Sequence, residues 1–409
     1  MKSRIFCFVV CCLLVLDVFV TDIFGGDIFR LGIIGTTTSH VPAFVKILND
    51  PNASEPCNGF KVVAAYPGGM PDNAGSWNRV KQFADELEKQ GIQLHNTVES
   101  MLPNVDGVLL ESVDGRPHLE QAKPVINAGK PLFIDKPMAA SLADVLTIFR
   151  LAKEKKVPVF SASSLRFASG FQKVRKGESS VGKVIGCDVW CPCSLNDKHP
   201  DLFWYGIHGV EILFTLMETG CESVTRIQTE GTELVTGTWK GGRIGTFRGI
   251  RTGKAEYGAI VFGDKGIANA GSSEGYKPLV EEIARFFKTG QLPIDPQETI
   301  EIIAFMEAAE QSKIKGASVS IDQVIREAEN KKIITVQLNM SANTTLTLNN
   351  QPLKIEELAK TLDNFVAEKP DHEVKVILSS EKGTPIESVQ SVCNNLGNAT
   401  LANYIYNYR

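Results

Sequence analysis

The apolar positions begin as a run with no period, IFCFVVCCLLVL from residue 5 to 16, preceded by Lys2 and Arg4 and ended by Asp17. A short basic start followed by about 7–15 apolar residues is an export pattern, too short for a comfortable membrane span. Residues 1–26 are therefore expected to be a signal peptide or an uncleaved anchor, and the protein exported, periplasmic or envelope-anchored. Period then appears. IFRLGIIG, FKVVAAY, VDGVLLE, KPLFIDKP and VPVFSAS read as buried strands. Between them lie amphipathic stretches of helical period: HVPAFVKILND, WNRVKQFADELEKQ, HLEQAKPVINAG and SLADVLTIFRLAKEKK, the last with Ser141 as its cap and Asp144 in its first turn. Strands alternating with helices predict a doubly wound parallel sheet over residues 27–165.

The rhythm changes at about residue 183. KVIGCDVWC, SVTRIQTE, ELVTGTW, RIGTFRGI and EYGAIVFG are strands joined by short turns, interrupted by one helix, FWYGIHGVEILFTLME. Two more helices, PLVEEIARFFKTG and PQETIEIIAFMEAAEQSK, close this region. The pattern predicts an α+β domain with a large antiparallel sheet over residues 166–330, whose open face is a surface for a second copy of the chain. Residues 331–409 follow as a small α/β unit of order ββαβαβ.

Composition narrows the function. With 43 Lys and Arg against 47 Asp and Glu the net charge is −4, without the positive excess that binding to a phosphate backbone requires, so nucleic acid is not expected as a partner. Removing the leader takes two acids and two bases and leaves that charge at −4. Six cysteines remain, and alternation puts Cys187, Cys191 and Cys193 on one strand face with no second ligand cluster. They are expected as buried thiols or one disulfide, and no metal site is assigned.

The first strand-turn-helix is where a dinucleotide-binding domain carries GxGxxG. Here Gly32 lies in the strand and Gly35 begins the turn, but Thr37 and His40 occupy the next two glycine positions. Thr36, Thr37, Thr38 and Ser39 put hydroxyls and amides at a helix N-terminus, where they either receive an anion or cap the helix. The second strand ends at Tyr66 without the carboxylate that bonds an adenosine ribose; Asp72 follows in a Gly/Pro loop, with Ser76 and Arg79 behind it.

From Gly32–Gly35 onward the chain resembles the Gfo/Idh/MocA oxidoreductases. The stronger match is Asp114-Gly115-Arg116-Pro117-His118 followed by AGKPLFIDKP, where Asp135 replaces the family's Glu before Lys136. Ser164-Leu165-Arg166-Phe167 and Val181-Gly182-Lys183-Val184 resemble the passage into that family's substrate domain, and His208 with Glu211 falls at its catalytic His and following acid. The resemblance implies a Rossmann-like domain binding NAD or NADP through Gly32, Gly35, residues 36–39, Asp114, Arg116, His118 and Asp135. It implies Lys136 and His208 as the catalytic pair, with Arg166 and Glu211 also on the substrate, a sugar or polyol. The family's Asp four residues before the histidine is Trp204 here. The competing reading is a non-catalytic envelope scaffold that holds a carbohydrate or protein in the same cleft. The tail, with its NNQP turn and its LKIEELAKTL and TPIESVQ segments, resembles the periplasmic domain of ExbD/TolR biopolymer-transport proteins, implying an envelope protein as partner.

Overall fold

A computed structural model describes residues 28–369, 372–397 and 404–408, so the leader lies outside the described residues. Three sheets organise the chain. The first has β1 (Phe29–Ile34), β2 (Phe60–Tyr66), β3 (Gln93–Leu94), β4 (Gly107–Leu110), β5 (Leu132–Asp135) and β6 (Val159–Ala162), all parallel, in the order β3-β2-β1-β4-β5-β6. Its crossovers carry α1 (His40–Leu48), α2 (Ala74–Lys89), α3 (Val98–Met101), α4 (His118–Asn127) and α5 (Leu142–Lys155). This is the expected Rossmann-like sheet with one edge strand added. β3 is two residues long, too short to show a period. Ser141 caps α5 by accepting from the Asp144 amide at 3.2 Å.

After α6 (Ser169–Arg175), seven strands form the second sheet: β7 (Val184–Pro192), β8 (Cys221–Gln228), β9 (Thr232–Trp239), β10 (Arg243–Ile250), β11 (Gly258–Gly263), β12 (Ile267–Asn269) and β13 (Val319–Ser320). The order is β12-β11-β7-β10-β9-β8-β13, antiparallel except for β7 with β10. One face packs on α7 (Gly206–Met217) and α9 (Pro296–Lys315), with Trp239, Phe214 and Phe305 at the centre. All six described cysteines are buried free thiols. Of the two open alternatives, the structure takes buried thiols.

Two helices depart from the sequence reading. α8 (Lys277–Thr289) falls in the segment read as substrate domain, yet Leu279, Val280, Ile283 and Phe286 pack into the core of the first sheet with Leu31, Val62 and Phe160. Period shows only that a helix has an apolar face, not which sheet covers it. α10 (Ile321–Glu329), not anticipated, buries Ile321, Val324 and Ala328.

The third sheet holds β14 (Lys332–Met340), β15 (Leu346–Leu348), β16 (Gln351–Leu353), β17 (His372–Ser380) and β18 (Tyr404–Tyr408), with α11 (Leu358–Ala367) and α12 (Ile386–Gly397) against it. The expected ββαβαβ order gains β16, a three-residue partner of β15 made by the NNQP turn. This sheet is docked. Met70, from the loop after β2, is 1% exposed and lies in a core shared with Val376, Leu378, Val392 and Tyr406. Lys375 of β17 meets both carboxylate oxygens of Asp144 of α5 at 3.0 Å, and both side chains are buried. Among the described residues no helix is long and apolar enough to cross a membrane.

Candidate functional site

The C-terminal ends of β1, β4 and β5 form the floor of a cleft whose roof is the start of α7 and loops of the second domain at residues 196–198, 257 and 273–276, with a cavity of about 790 Å3. Ligands of open parallel sheets bind at such strand ends. The β1 turn lies so close to the β4 turn that a Cβ on Gly35, whose φ is +88°, would sit 2.3 Å from Ser112 Oγ. Thr36 Oγ1 donates to the Val80 carbonyl at 3.0 Å, and Thr37 Oγ1 accepts from the Val113 amide at 2.9 Å. Thr38 Oγ1 accepts from the His40 amide at 3.3 Å, and Ser39 bonds Tyr276. The hydroxyls thus hold neighbouring turns together, and only Thr38 bonds a first-turn amide. What the turn still offers the cleft is its Thr38–His40 edge and the N-terminus of α1, which has no acid in its first turn.

Thr37 in place of glycine does not fill the cleft. Its methyl points to the loop after β2, where a Cβ on Gly69 (φ +121°) would be 3.1 Å away. The glycine that permits close approach has moved to the facing loop. His40, at the third glycine position, turns its ring to Asp135, with Nδ1 to Oδ2 at 2.9 Å.

Lys136 and His208 line the same cleft, as the resemblance implied. Lys136 follows β5 and is 6% exposed. Burial lowers its pKa against the opposing pull of Asp135 and Glu111. His208 lies in the first turn of α7, and its Nδ1 is 2.7 Å from Ser163 Oγ. Burial, then the Lys136 and His40 charges, push its pKa well below 6.5, so the imidazole is neutral at pH 7. Ser163 thus fixes the orientation of the His208 ring. Trp204, four residues before His208, lines the cleft and packs against His199, ring centroids 4.7 Å apart and the planes tilted by 42°.

Beneath Lys136 lies a buried acid pair. Glu111 is wholly buried and has no hydrogen-bond partner among the described residues; burial, then Asp135, raise its pKa well above 4.5. Burial also acts to raise Asp135, but His40 and Lys136 outweigh it and keep it ionised. Burial thus favours the proton on Glu111, whereas Asp135 keeps its charge.

Several residues that the sequence set against ligand face elsewhere. Gly32 lies mid-strand, where a Cβ would be 2.9 Å from Met101 Cε, so its absent side chain serves core packing. Arg116 joins Asp114 (2.6 Å) and Asp72 (3.0 Å), and His199 adds a contact to Asp114 at 3.2 Å. Burial acts to raise Asp114, but Arg116 and His199 overcome it and hold the carboxyl far below its usual range. His118, fully buried, bridges the Ser112 and Met138 carbonyls at 2.7 and 3.1 Å. Arg166 is 1% exposed and held by Glu211 and Glu298, each at 2.6 Å, so neither it nor Glu211 lines the cleft. Each of these charged groups is buried, and a buried charge takes the nearest opposite charge as partner. Ser163, Glu111, His199 and Asn73 escaped the sequence reading. Glu111 carried one signal, a carboxylate directly after the apolar strand GVLL.

Residues 29–163 match the oxidoreductase family with the NAD-binding Rossmann fold, Gfo/Idh/MocA, and residues 300–406 match the biopolymer transport protein ExbD/TolR. An uncharacterized oxidoreductase of Synechocystis sp. is 30% identical over 117 residues, covering 27% of this chain and 31% of that protein. The match thus spans about a third of that relative's length. Among solved structures, a probable dehydrogenase from Thermotoga maritima superposes with a TM-score of 0.60 at 20% identity, covering 73% of this chain and 100% of that one. Myo-inositol 2-dehydrogenase from Lactobacillus plantarum gives 0.60 at 17% identity, covering 71% and 99%. Residues 29–163 are thus similar to the Gfo/Idh/MocA oxidoreductases, on a fold shared with solved dehydrogenases over about 70% of the chain, and residues 300–406 are similar to ExbD/TolR.

Proposed function

We propose that the protein is an exported, NAD(P)-dependent oxidoreductase acting on a sugar or polyol. The observation that carries this reading is the convergence of Lys136 and a neutral, Ser163-held His208 in the cleft that begins at the α1 N-terminus. The residues fit a dinucleotide. The cavity is within the range of about 300–1,000 Å3 that cofactor sites occupy. The N-terminus of α1, with no acid in its first turn, and Asn73 Nδ2, without a hydrogen-bond partner among the described residues, would face anionic and polar groups of such a ligand. Thr38, Ser39 and His40 would hold the pyrophosphate, and Asn73 the ribose end.

A bound nicotinamide dinucleotide supplies the acceptor for the hydride leaving the alcohol carbon. His208 Nε2 takes the hydroxyl proton as the carbonyl forms, and Ser163 Oγ steadies the resulting imidazolium at Nδ1. Lys136 bonds the same oxygen and polarises it. The Glu111–Asp135 pair beneath Lys136 balances its charge. In the reverse direction His208 returns the proton.

Similarity to ExbD/TolR over residues 300–406 supports a place at the cell envelope and a protein partner there. Ile185, Ile227 and Ile244, between 51% and 69% exposed on strands of the second sheet, support association with a second copy of the chain. Titration of the purified full-length protein with NAD+, NADP+ and their reduced forms, followed by fluorescence or calorimetry, tests the central claim. Saturable binding below millimolar concentration is expected. Its absence for all four forms leaves the scaffold reading.

A further inference from the structure

Beneath Lys136 three side chains converge on one point. β4 and β5 pair in register through Leu110 and Ile134. The next residues, Glu111 and Asp135, therefore lie side by side at the strand ends, about 4.8 Å apart along the sheet. α1 brings His40 to them, its ring packed against Phe44 and Tyr276 at centroid distances of 5.9 and 4.6 Å. His40 Nδ1 is 2.9 Å from Asp135 Oδ2. Each of the three residues offers one ligand atom, a ring nitrogen or a carboxylate oxygen, and these atoms all lie within 4.8 Å of one another.

The independent observation is Glu111. It is fully buried, and neither carboxylate oxygen has a hydrogen-bond partner among the described residues. Its backbone is pinned, because its amide donates to the Ile34 carbonyl at 2.7 Å. An orphaned buried acceptor costs about 1–3 kcal/mol, and more when charged. A proton on Glu111 removes the charge but gives neither oxygen a partner. A cation at the meeting point does both.

The donor set indicates which cation. One imidazole and two carboxylates, without a thiolate, suit Zn2+, Mn2+ or Fe2+, whereas Mg2+ and Ca2+ favour oxygen alone. Ligands about 2.1 Å from one ion stand about 3.0–3.4 Å from each other, so the His40–Asp135 contact needs to open only slightly. With His40 neutral, as a ligand must be, the ammonium of Lys136 opposes two carboxylates. A divalent ion supplies the charge that one ammonium does not. His40 and Lys136 line the cavity and give the ion a way in.

We propose that His40, Glu111 and Asp135 hold a divalent first-row metal ion beneath the floor of the cleft. The ion ties the start of α1 to the ends of β4 and β5 and takes the place of a proton on Glu111. Glu111 and Asp135 do not line the cavity, so the ion fixes the floor from which Lys136 projects and does not touch the substrate. Spacing along the chain gave no sign of it, because 71 and 24 positions separate the three ligands. The ion site holds whether or not the cleft takes a dinucleotide.

The test uses the full-length protein, purified without an added histidine tag and stripped with EDTA. It is titrated by calorimetry with Zn2+, Mn2+ and Mg2+, and bound metal is counted by mass spectrometry after gel filtration. One Zn2+ or Mn2+ per chain is expected at micromolar concentration, with no displacement by millimolar Mg2+. Glu111→Gln, which keeps the shape of the side chain, and His40→Ala should each weaken binding at least about a hundredfold, more than the loss of an outer-shell partner does. X-ray absorption of the zinc-loaded wild type, which needs no variant to fold, should show one imidazole with oxygen ligands otherwise. No binding at micromolar metal, full binding in both variants, equal competition by Mg2+, or sulfur or several imidazoles around the zinc overturns the inference. Failure of NAD(P) to bind overturns only the dehydrogenase reading.

Discussion

Replacing Lys375 with Met tests whether the third sheet is a fixed part of the molecule. The Lys375 ammonium lies 3.0 Å from each carboxylate oxygen of Asp144, across 231 residues of sequence, and the two side chains are 6% and 9% exposed. Breaking a buried ion pair by removing one partner costs about 3–5 kcal/mol. At about 1.36 kcal/mol per decade, that weakens docking by roughly two to three and a half orders of magnitude. Asp144→Asn together with Lys375→Met removes both charges and should recover most of the loss. The assay is amide hydrogen exchange of the native chain. In Lys375→Met, protection should fall at residues 67–73 and along the face of β17 toward α5, while β4 and β5 keep theirs. A double-mutant cycle then gives the coupling directly. Unchanged exchange in the 67–73 loop of the single variant, or additive effects in the cycle, would refute the claim that this ion pair holds the third sheet to the first.

Other outcomes follow from the site. Lys136→Ala and His208→Ala are each expected to lower kcat/KM of the dehydrogenase reaction by about 10²–10⁴-fold, the usual yield of a positioned acid or base; wild-type rates would remove them from the chemistry. Because burial lowers the His208 pKa, the unfolded state binds the extra proton. Its stabilising share is then fully present above about pH 6.5 and declines as pH falls toward the lowered native value. The acid limb of the kcat/KM profile should accordingly lie below pH 6.5, and a midpoint at or above that pH contradicts the neutral-imidazole reading. Ser163→Ala should lower kcat more than it raises KM, with partial rescue by Ser163→Thr; equal effects on both would mark a packing role. Ile244→Lys on the open face of the second sheet should shift the mass measured by light scattering toward the monomer, and an unchanged mass would show that this face is not the interface.

Sequence period located the long strands of the first two sheets and the helices between them, because burying one face of an element forces apolar residues into a repeat. It missed β3, β12, β13 and β16, of two or three residues each, too short to hold a repeat. Motif order brought Lys136 and His208 to one cleft although 72 positions separate them. The roles of Arg116, Asp114, Arg166 and Glu211 were not legible, because residue type shows that a charge is present but not which opposite charge lies nearest once water is excluded. Nor did the glycine count settle the cofactor turn, since the missing glycine at Thr37 is matched by Gly69 in a loop 32 residues away.

What the sequence determined by itself was the set of elements and the chemistry available to them: a parallel sheet, a mainly antiparallel one, a small third sheet, and a lysine and a histidine of the right kinds. Tertiary structure decided which groups face the cleft and which face each other. It put α8 on the first sheet, turned Asp72 to Arg116, gave His208 a serine partner, and inserted Met70 into the core of the third sheet. The physical reason is that local pattern fixes which surfaces must be buried, whereas pairing among buried surfaces and charges depends on distances that exist only after the chain has closed on itself.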